Sequence, residues 1–191
     1  NIIGAINTIV RNGSELKGYN TNAIGFMDAL NEVGFEAEGA SALVFGTGGA
    51  AKAVAFILSW LRTKTVYVTG RNTARTAEIV DRFGGESRTL ASILERPPSV
   101  DIIVNATSVS NAEESPDLGA LVKKLDMQGC KLVVDLNYDR QDNFWEEMAG
   151  RQGIQFLDGL MPLAYQARRT LALWTGIQVP PQAFIEALSN H

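Results

Sequence analysis

Cysteine is nearly missing from this chain of 191 residues: Cys130 stands alone. That excludes a disulfide framework and cysteine-ligated zinc, and beside the apolar run 132–136 it reads as a buried structural thiol. Histidine is just as scarce, with His191 at the last position. Chain ends are usually mobile, so no histidine base or metal ligand is expected, and proton transfer must use Lys, Asp, Glu, Tyr or a group outside the chain. Excess positive charge is also lacking: 17 Lys and Arg face 21 Asp and Glu, a net charge of -4, with the signs interspersed. No nucleic-acid contact is expected of such a surface. No apolar run is long enough to span a bilayer and no secretory leader is visible, which makes the cytoplasm the default compartment.

What the chain does have is 46% hydrophobic residues against 20% charged, enough to bury a substantial core. The length fits one large domain, or one domain plus part of another. There is no low-complexity tract, and no repeat beyond an alternation of strand and helix.

The richest stretch is 42–54, ALVFGTGGAAKAV, where a short apolar strand meets three glycines and an alanine-rich helix. Gly46 permits the tight turn, Gly48 lets backbone approach a pyrophosphate, and Ala51 keeps helix close to sheet. Phosphates would sit on the helix N-terminus, where unpaired N–H groups and the dipole favour negative charge. Taken alone, G-x-G-x-x-A is equally compatible with a plain connecting turn.

The next strand, Thr65–Thr69, ends about twenty residues further on, where a dinucleotide-binding unit reads the adenosine ribose. A carboxylate there would select a 2′-hydroxyl. This chain offers Arg71, Asn72, Thr73 and Arg75 instead. Two guanidinium groups suit a 2′-phosphate, so NADP is expected over NAD; the plainer reading is that both arginines are solvated surface charges.

The βα rhythm continues with a helix at 74–83, a strand at 101–106, a helix at 118–125 and a strand at 131–136. Runs such as DIIVNA and KLVVDL suit a sheet covered on both faces, and the alternation predicts an α/β fold with a doubly wound parallel sheet. Outside this rhythm lie a hairpin (4–10 and 16–19, turning at Asn12 and Gly13), a helix at 21–34, and helices at 162–175 and 180–188. A chain that opens directly on an apolar strand suggests a preceding N-terminal portion.

Seven motifs occur in one order: GAINT at 4–8, GYNTN at 18–22, GTGGAA at 46–51, RNTAR at 71–75, NAT at 105–107, DLNY at 135–138 and GLMPLAYQA at 159–167. In this the chain resembles the shikimate/quinate dehydrogenase family over essentially its whole length. The resemblance implies a Rossmann-like NADP-binding domain at 39–158, preceded by the end of a substrate-binding domain at 1–20 and a connecting helix at 21–38. C-terminal helices at 159–191 would pack back toward the substrate domain. It further implies that the rest of that domain, with a catalytic lysine, lies upstream, so that this chain alone should not turn over 3-dehydroshikimate.

Residue by residue, the resemblance implies substrate contacts from Asn7, Thr21, Tyr138 and Gln166. It implies cofactor contacts from Gly46, Gly48, Gly49, Ala50, Arg71, Asn72, Thr73, Arg75, Asn105, Thr107 and Gly159. On the residues alone, Asn7 and Asn20 equally suit turns, Gln166 a solvated helix face, and Tyr138 the rim of a core.

Asn22 departs from the family pattern, which carries a proton-transferring aspartate there. An amide neither accepts a proton nor holds an ammonium group by charge. Three explanations stay open: an introduced inactivating change, a natural enzyme that tolerates the amide at lower rate, or a homologue that senses shikimate or quinate, as quinate-pathway repressors do. Val109, Ser110, Asn111 and Arg140 depart from the pattern as well.

Overall fold

The computed structural model describes residues 2–189, so the expectation for His191 lies outside the described residues. Six parallel strands form the central sheet: β3 (Ser41–Phe45), β4 (Thr65–Thr69), β5 (Glu86–Arg88), β6 (Ile102–Asn105), β7 (Leu132–Asp135) and β8 (Gln155–Leu157), in the order β5-β4-β3-β6-β7-β8. Chain direction of travel reverses between β3 and β6, which makes the crevice beyond their carboxyl ends the switch point of a doubly wound sheet.

The central strands are buried on both faces, as their unbroken apolar runs require. Period-two alternation splits them between two cores. Ala42, Val44, Ile102, Val104, Leu132 and Val134 meet the layer built from α1 (Thr21–Glu32), α2 (Gly49–Trp60) and α3 (Thr73–Phe83). Leu43, Phe45, Ile103 and Val133 meet the layer of α4 (Leu90–Glu95), α5 (Pro116–Lys124) and α6 (Phe144–Gln152). There Trp145, fully buried, packs edge-on to Phe45 with ring centroids 4.8 Å apart. Side chains of this size each contribute about 1.5–3 kcal/mol by leaving water.

Helix boundaries follow capping chemistry. Asn20, Asn72, Thr89, Ser115 and Asn143 each accept a backbone N–H from the first turn of the helix they precede. Ser115 with Pro116 starts α5 two residues ahead of the expected 118, because proline is preorganised for a first turn. The strands expected at 101–106 and 131–136 are each trimmed by one residue at both ends. Two strands and two helices lie where the sequence pattern predicts none. β5 and β8 are three residues long, α4 six, and α6 is largely polar on its solvent side, too little periodicity to register as a pattern.

Outside the sheet, β1 (Thr8–Asn12) and β2 (Glu15–Tyr19) form the antiparallel hairpin, with the turn at Gly13 and Ser14 rather than Asn12 and Gly13. α7 (Leu160–Thr175) crosses α1 at close range: a Cβ at Gly25 would lie 2.7 Å from the Gln166 backbone nitrogen. α8 (Pro181–Ser189) packs on α7. No described helix is long and apolar enough to cross a membrane.

Candidate functional site

The turn from β3 into α2 occupies the switch point. Gly46 has φ +123°, and a Cβ there would lie 2.6 Å from the Ala106 carbonyl oxygen, so glycine is required on conformational and steric grounds alike. Its N–H donates to the Thr69 carbonyl at 2.8 Å, which sews the turn to the end of β4. Gly48, the residue that opens α2, offers no side-chain cap, and a Cβ there would meet nothing within 4 Å. Whereas α1 and α3 to α6 are capped by side chains, the first-turn N–H groups of α2 at Gly49 and Ala50 have no side-chain cap among the described residues; the space is open at Gly48, while a Cβ at Gly49 would lie 3.3 Å from Ala5 Cβ.

The exit of β4 packs on this turn, since a Cβ at Gly70 would lie 2.9 Å from Thr47 Cγ2. Arg71 and Arg75 follow, both exposed and both without an ion-pair partner among the described residues. Asn72 spends its side-chain oxygen on the Arg75 N–H at 3.0 Å, capping α3, and Thr73 is exposed in that first turn.

Beyond the ends of β6 and β7 lies a polar network. Asn105, fully buried, donates to the Val109 carbonyl at 2.9 Å and to Asp135 Oδ1 at 2.7 Å, and accepts from the N–H and hydroxyl of Thr107. Its hydrogen-bonding capacity is thereby filled. Asn137 donates to the Thr107 carbonyl at 2.9 Å, and its own carbonyl accepts the Gly159 N–H at 2.9 Å. A Cβ at Gly159 would collide with the Leu136 carbonyl, so only glycine lets the α7 entry press against the exit of β7. Next to it, burial raises the Asp158 carboxyl above its ordinary range, the Leu160 N–H works against that, and the charge of Asp135 adds to it. Arg140 pairs with Glu114 at 2.8 Å, joining the two loops; the N–H groups of Ser110 and Asn111, with Arg140, hold Glu114 below the usual carboxylate range despite an opposing desolvation cost.

A second polar cluster joins the hairpin, α1 and α7. Asn7 accepts the Thr21 N–H at 2.8 Å, which orients its amide nitrogen toward Thr21 Oγ1 (2.8 Å), Asn22 Oδ1 (2.9 Å) and Gln166 Oε1 (3.1 Å). Thr8 and Thr170 complete it, each within 3.3 Å of the Thr21 hydroxyl. Asn22, Gln166, Tyr138, Gly159 and Ala50 line one cleft of about 130 Å³. Four of the five residues assigned to substrate chemistry thus converge at one cluster, and Tyr138 lines the same cleft. Thr8, Thr170, Ser110, Asp135 and Asn137 are the members of these networks to which the sequence assigns no role, although Thr8 lies in the GAINT motif and Asp135 and Asn137 in DLNY.

The family model described as shikimate / quinate 5-dehydrogenase matches residues 29–141. The shikimate dehydrogenase (NADP(+)) of Desulforamulus reducens is 35% identical over 188 residues, covering 94% of this chain and 64% of that protein. That of Halothermothrix orenii is 35% identical over 195 residues, covering 96% of this chain and 66% of its own length. The chain therefore spans about two thirds of the length of these relatives. The crystal structure of Thermus thermophilus shikimate 5-dehydrogenase in complex with NADP(H) and shikimate superposes with a TM-score of 0.82 at 32% identity, over 99% of this chain and 69% of that one.

Proposed function

The chain belongs to the shikimate / quinate 5-dehydrogenase family, and on that premise we propose that it forms the NADP-binding domain and one wall of the substrate site of an NADP-dependent oxidoreductase. The reaction is hydride transfer between NADPH and a cyclic 3-keto acid of the 3-dehydroshikimate type. Relatives named for NADP(+) and a similar structure holding NADP(H) and shikimate support this reading.

One observation carries it: a helix N-terminus with no side-chain cap that opens on free space at Gly48, with two guanidinium groups just beyond the end of β4 that have no ion-pair partner among the described residues. The bare amides at Gly48, Gly49 and Ala50 hold the pyrophosphate, and Arg71 and Arg75, with Thr73 and Asn72 Nδ2 beside them, hold the 2′-phosphate. The bound cofactor supplies the hydride. Thr107 and Gly159 border the nicotinamide, while Asn105, whose polar atoms are all engaged within the protein, acts by shaping that loop.

On the substrate side, Asn22, Gln166 and Tyr138 line the cleft, and Asn22 Nδ2, Gln166 Nε2 and the Tyr138 hydroxyl have no hydrogen-bond partner among the described residues. Three free donors on one cleft suit ring hydroxyls and a carboxylate, and an analogue lacking a hydroxyl leaves them unpaired. The remainder of the site, including the acid/base lysine, is supplied from outside these 191 residues. Cofactor choice tests the reading directly: titration of the chain with NADPH and NADH should give tighter binding of NADPH, and equal affinities or a preference for NADH would refute it.

A second reading rests on Asn22. An amide at the position where the family resemblance places an aspartate keeps ligand binding and removes proton transfer, as a shikimate- or quinate-sensing protein requires.

A further inference from the structure

Asp135 is a carboxylate with no exposed surface and no cationic partner among the described residues. Five donors satisfy it instead. Oδ1 accepts from Asn105 Nδ2 at 2.7 Å, from the Asn137 N–H at 3.1 Å and from Asn137 Nδ2 at 3.1 Å. Oδ2 accepts from the Ser110 hydroxyl and from Asn143 Nδ2 at 2.8 Å. A buried charge is tolerated only when its lone pairs are filled in this way.

The donors come from two loops. Asn105 and Ser110 bracket the turn that carries Thr107, and Asn105 is the register partner of Asp135 across the β6–β7 pair. Asn137 and Asn143 bracket the loop after β7, where Asn137 also receives the Gly159 N–H. Asn143 spends its oxygen on the Trp145 N–H at 2.9 Å to cap α6, and Trp145 in turn donates to the Val109 carbonyl at 3.2 Å. None of the three side-chain amides, Asn105, Asn137 and Asn143, can reverse without losing a second bond.

From this arrangement we infer that Asp135 is the positioning residue of the nicotinamide half of the cofactor site: its carboxylate fixes the Thr107 turn and the Gly159 entry relative to each other, while the adenosine half at Arg71 and Arg75 is organised independently by the Asn72 cap. The inference rests on the dinucleotide reading given above. Asp135→Asn is nearly isosteric but turns one acceptor into a donor facing donors, so the turn must rearrange.

The experiment compares two ligands on the folded chain, NADPH and adenosine 2′,5′-bisphosphate, which carries the adenosine half alone. Asp135→Asn should weaken NADPH at least tenfold and change the bisphosphate less than twofold, with melting temperature read in parallel. Ser110→Ala removes one donor and leaves the charge, so it should show the same selectivity at about threefold; it carries the test if Asp135→Asn does not fold. Equal weakening of both ligands, or no change in either, would overturn the inference. Failure of the unsubstituted chain to bind either ligand would instead overturn the dinucleotide reading beneath it.

Discussion

Asn7 donates its side-chain amide to Asn22 Oδ1 across 2.9 Å, and its direction is fixed because its own oxygen accepts the Thr21 N–H at 2.8 Å. Position 22 is therefore asked to accept a hydrogen bond. A carboxylate does that at least as well as an amide, so nothing in the packing requires asparagine there.

Asn22→Asp should accordingly leave the melting temperature unchanged. In the protein with its full substrate site, it should raise NADPH oxidation by 3-dehydroshikimate by about 10²–10⁴, the usual worth of general acid–base catalysis. No turnover in either form, with shikimate or quinate still bound, would leave ligand sensing as the function.

Replacing Arg71 or Arg75 by Ala should weaken NADPH by about 10- to 100-fold, the equivalent of the ~1.5–3 kcal/mol of a hydrogen bond to a charged group. NADH, which has no 2′-phosphate, should be unaffected. Both arginines are exposed, so the loss should shrink as salt rises. Fluorescence titration with both nucleotides at two ionic strengths reads all of this.

Two glycines of one turn should respond oppositely. Gly46→Ala places a Cβ 2.6 Å from the Ala106 oxygen at φ +123°, and should cost several kcal/mol or prevent folding, as strain combines with overpacking. Gly48→Ala meets open space at an ordinary φ of -83°, so it should melt like the parent yet bind NADPH less tightly. Paired melting and binding curves decide the matter; a Gly48→Ala chain with undiminished affinity would displace the pyrophosphate from this turn.

The pH dependence of stability has a signature at each end. Tyr165 donates to Glu32 at 2.8 Å between α7 and α1, and burial first, then this bond and the charges of Glu32 and Asp28, push its hydroxyl up to about 12. A raised folded-state value means the stabilisation is whole below the ordinary tyrosine value of about 10 and disappears as pH climbs from there toward 12. Asp101, held low by the Ser41 N–H and by Lys131, behaves in reverse: its contribution is whole above about pH 4 and fades as pH falls. Tyr165→Phe should flatten the alkaline limb of a melting-temperature profile and Asp101→Asn the acid limb. A profile unchanged at the corresponding end would remove either group from the account.

The sheet and its glycine turn were legible because both are local. Apolar runs such as ALVF, short and bounded by turn signals, suit a strand covered on both sides, and G-x-G-G after such a strand needs no distant partner to be understood. Seven motifs in one order added the family. The short strands β5 and β8 and the helices α4 and α6 escaped because neighbours hold them in place and their own sequences carry little periodicity.

By itself the sequence determined the fold class, the edge of the sheet at which a ligand would sit and the arginines offered to it, since propensity, period and spacing act within a few residues. The tertiary structure decided which polar groups meet. Gly25 lets α7 close on α1 so that Gln166 reaches Asn7, 159 residues away along the chain. The parallel register of β6 and β7 sets Asn105 opposite Asp135. Hydrogen bonds are short-ranged and directional, so an amide that touches a ligand and one consumed in holding a loop look the same in sequence and separate only when their partners are brought within 3 Å.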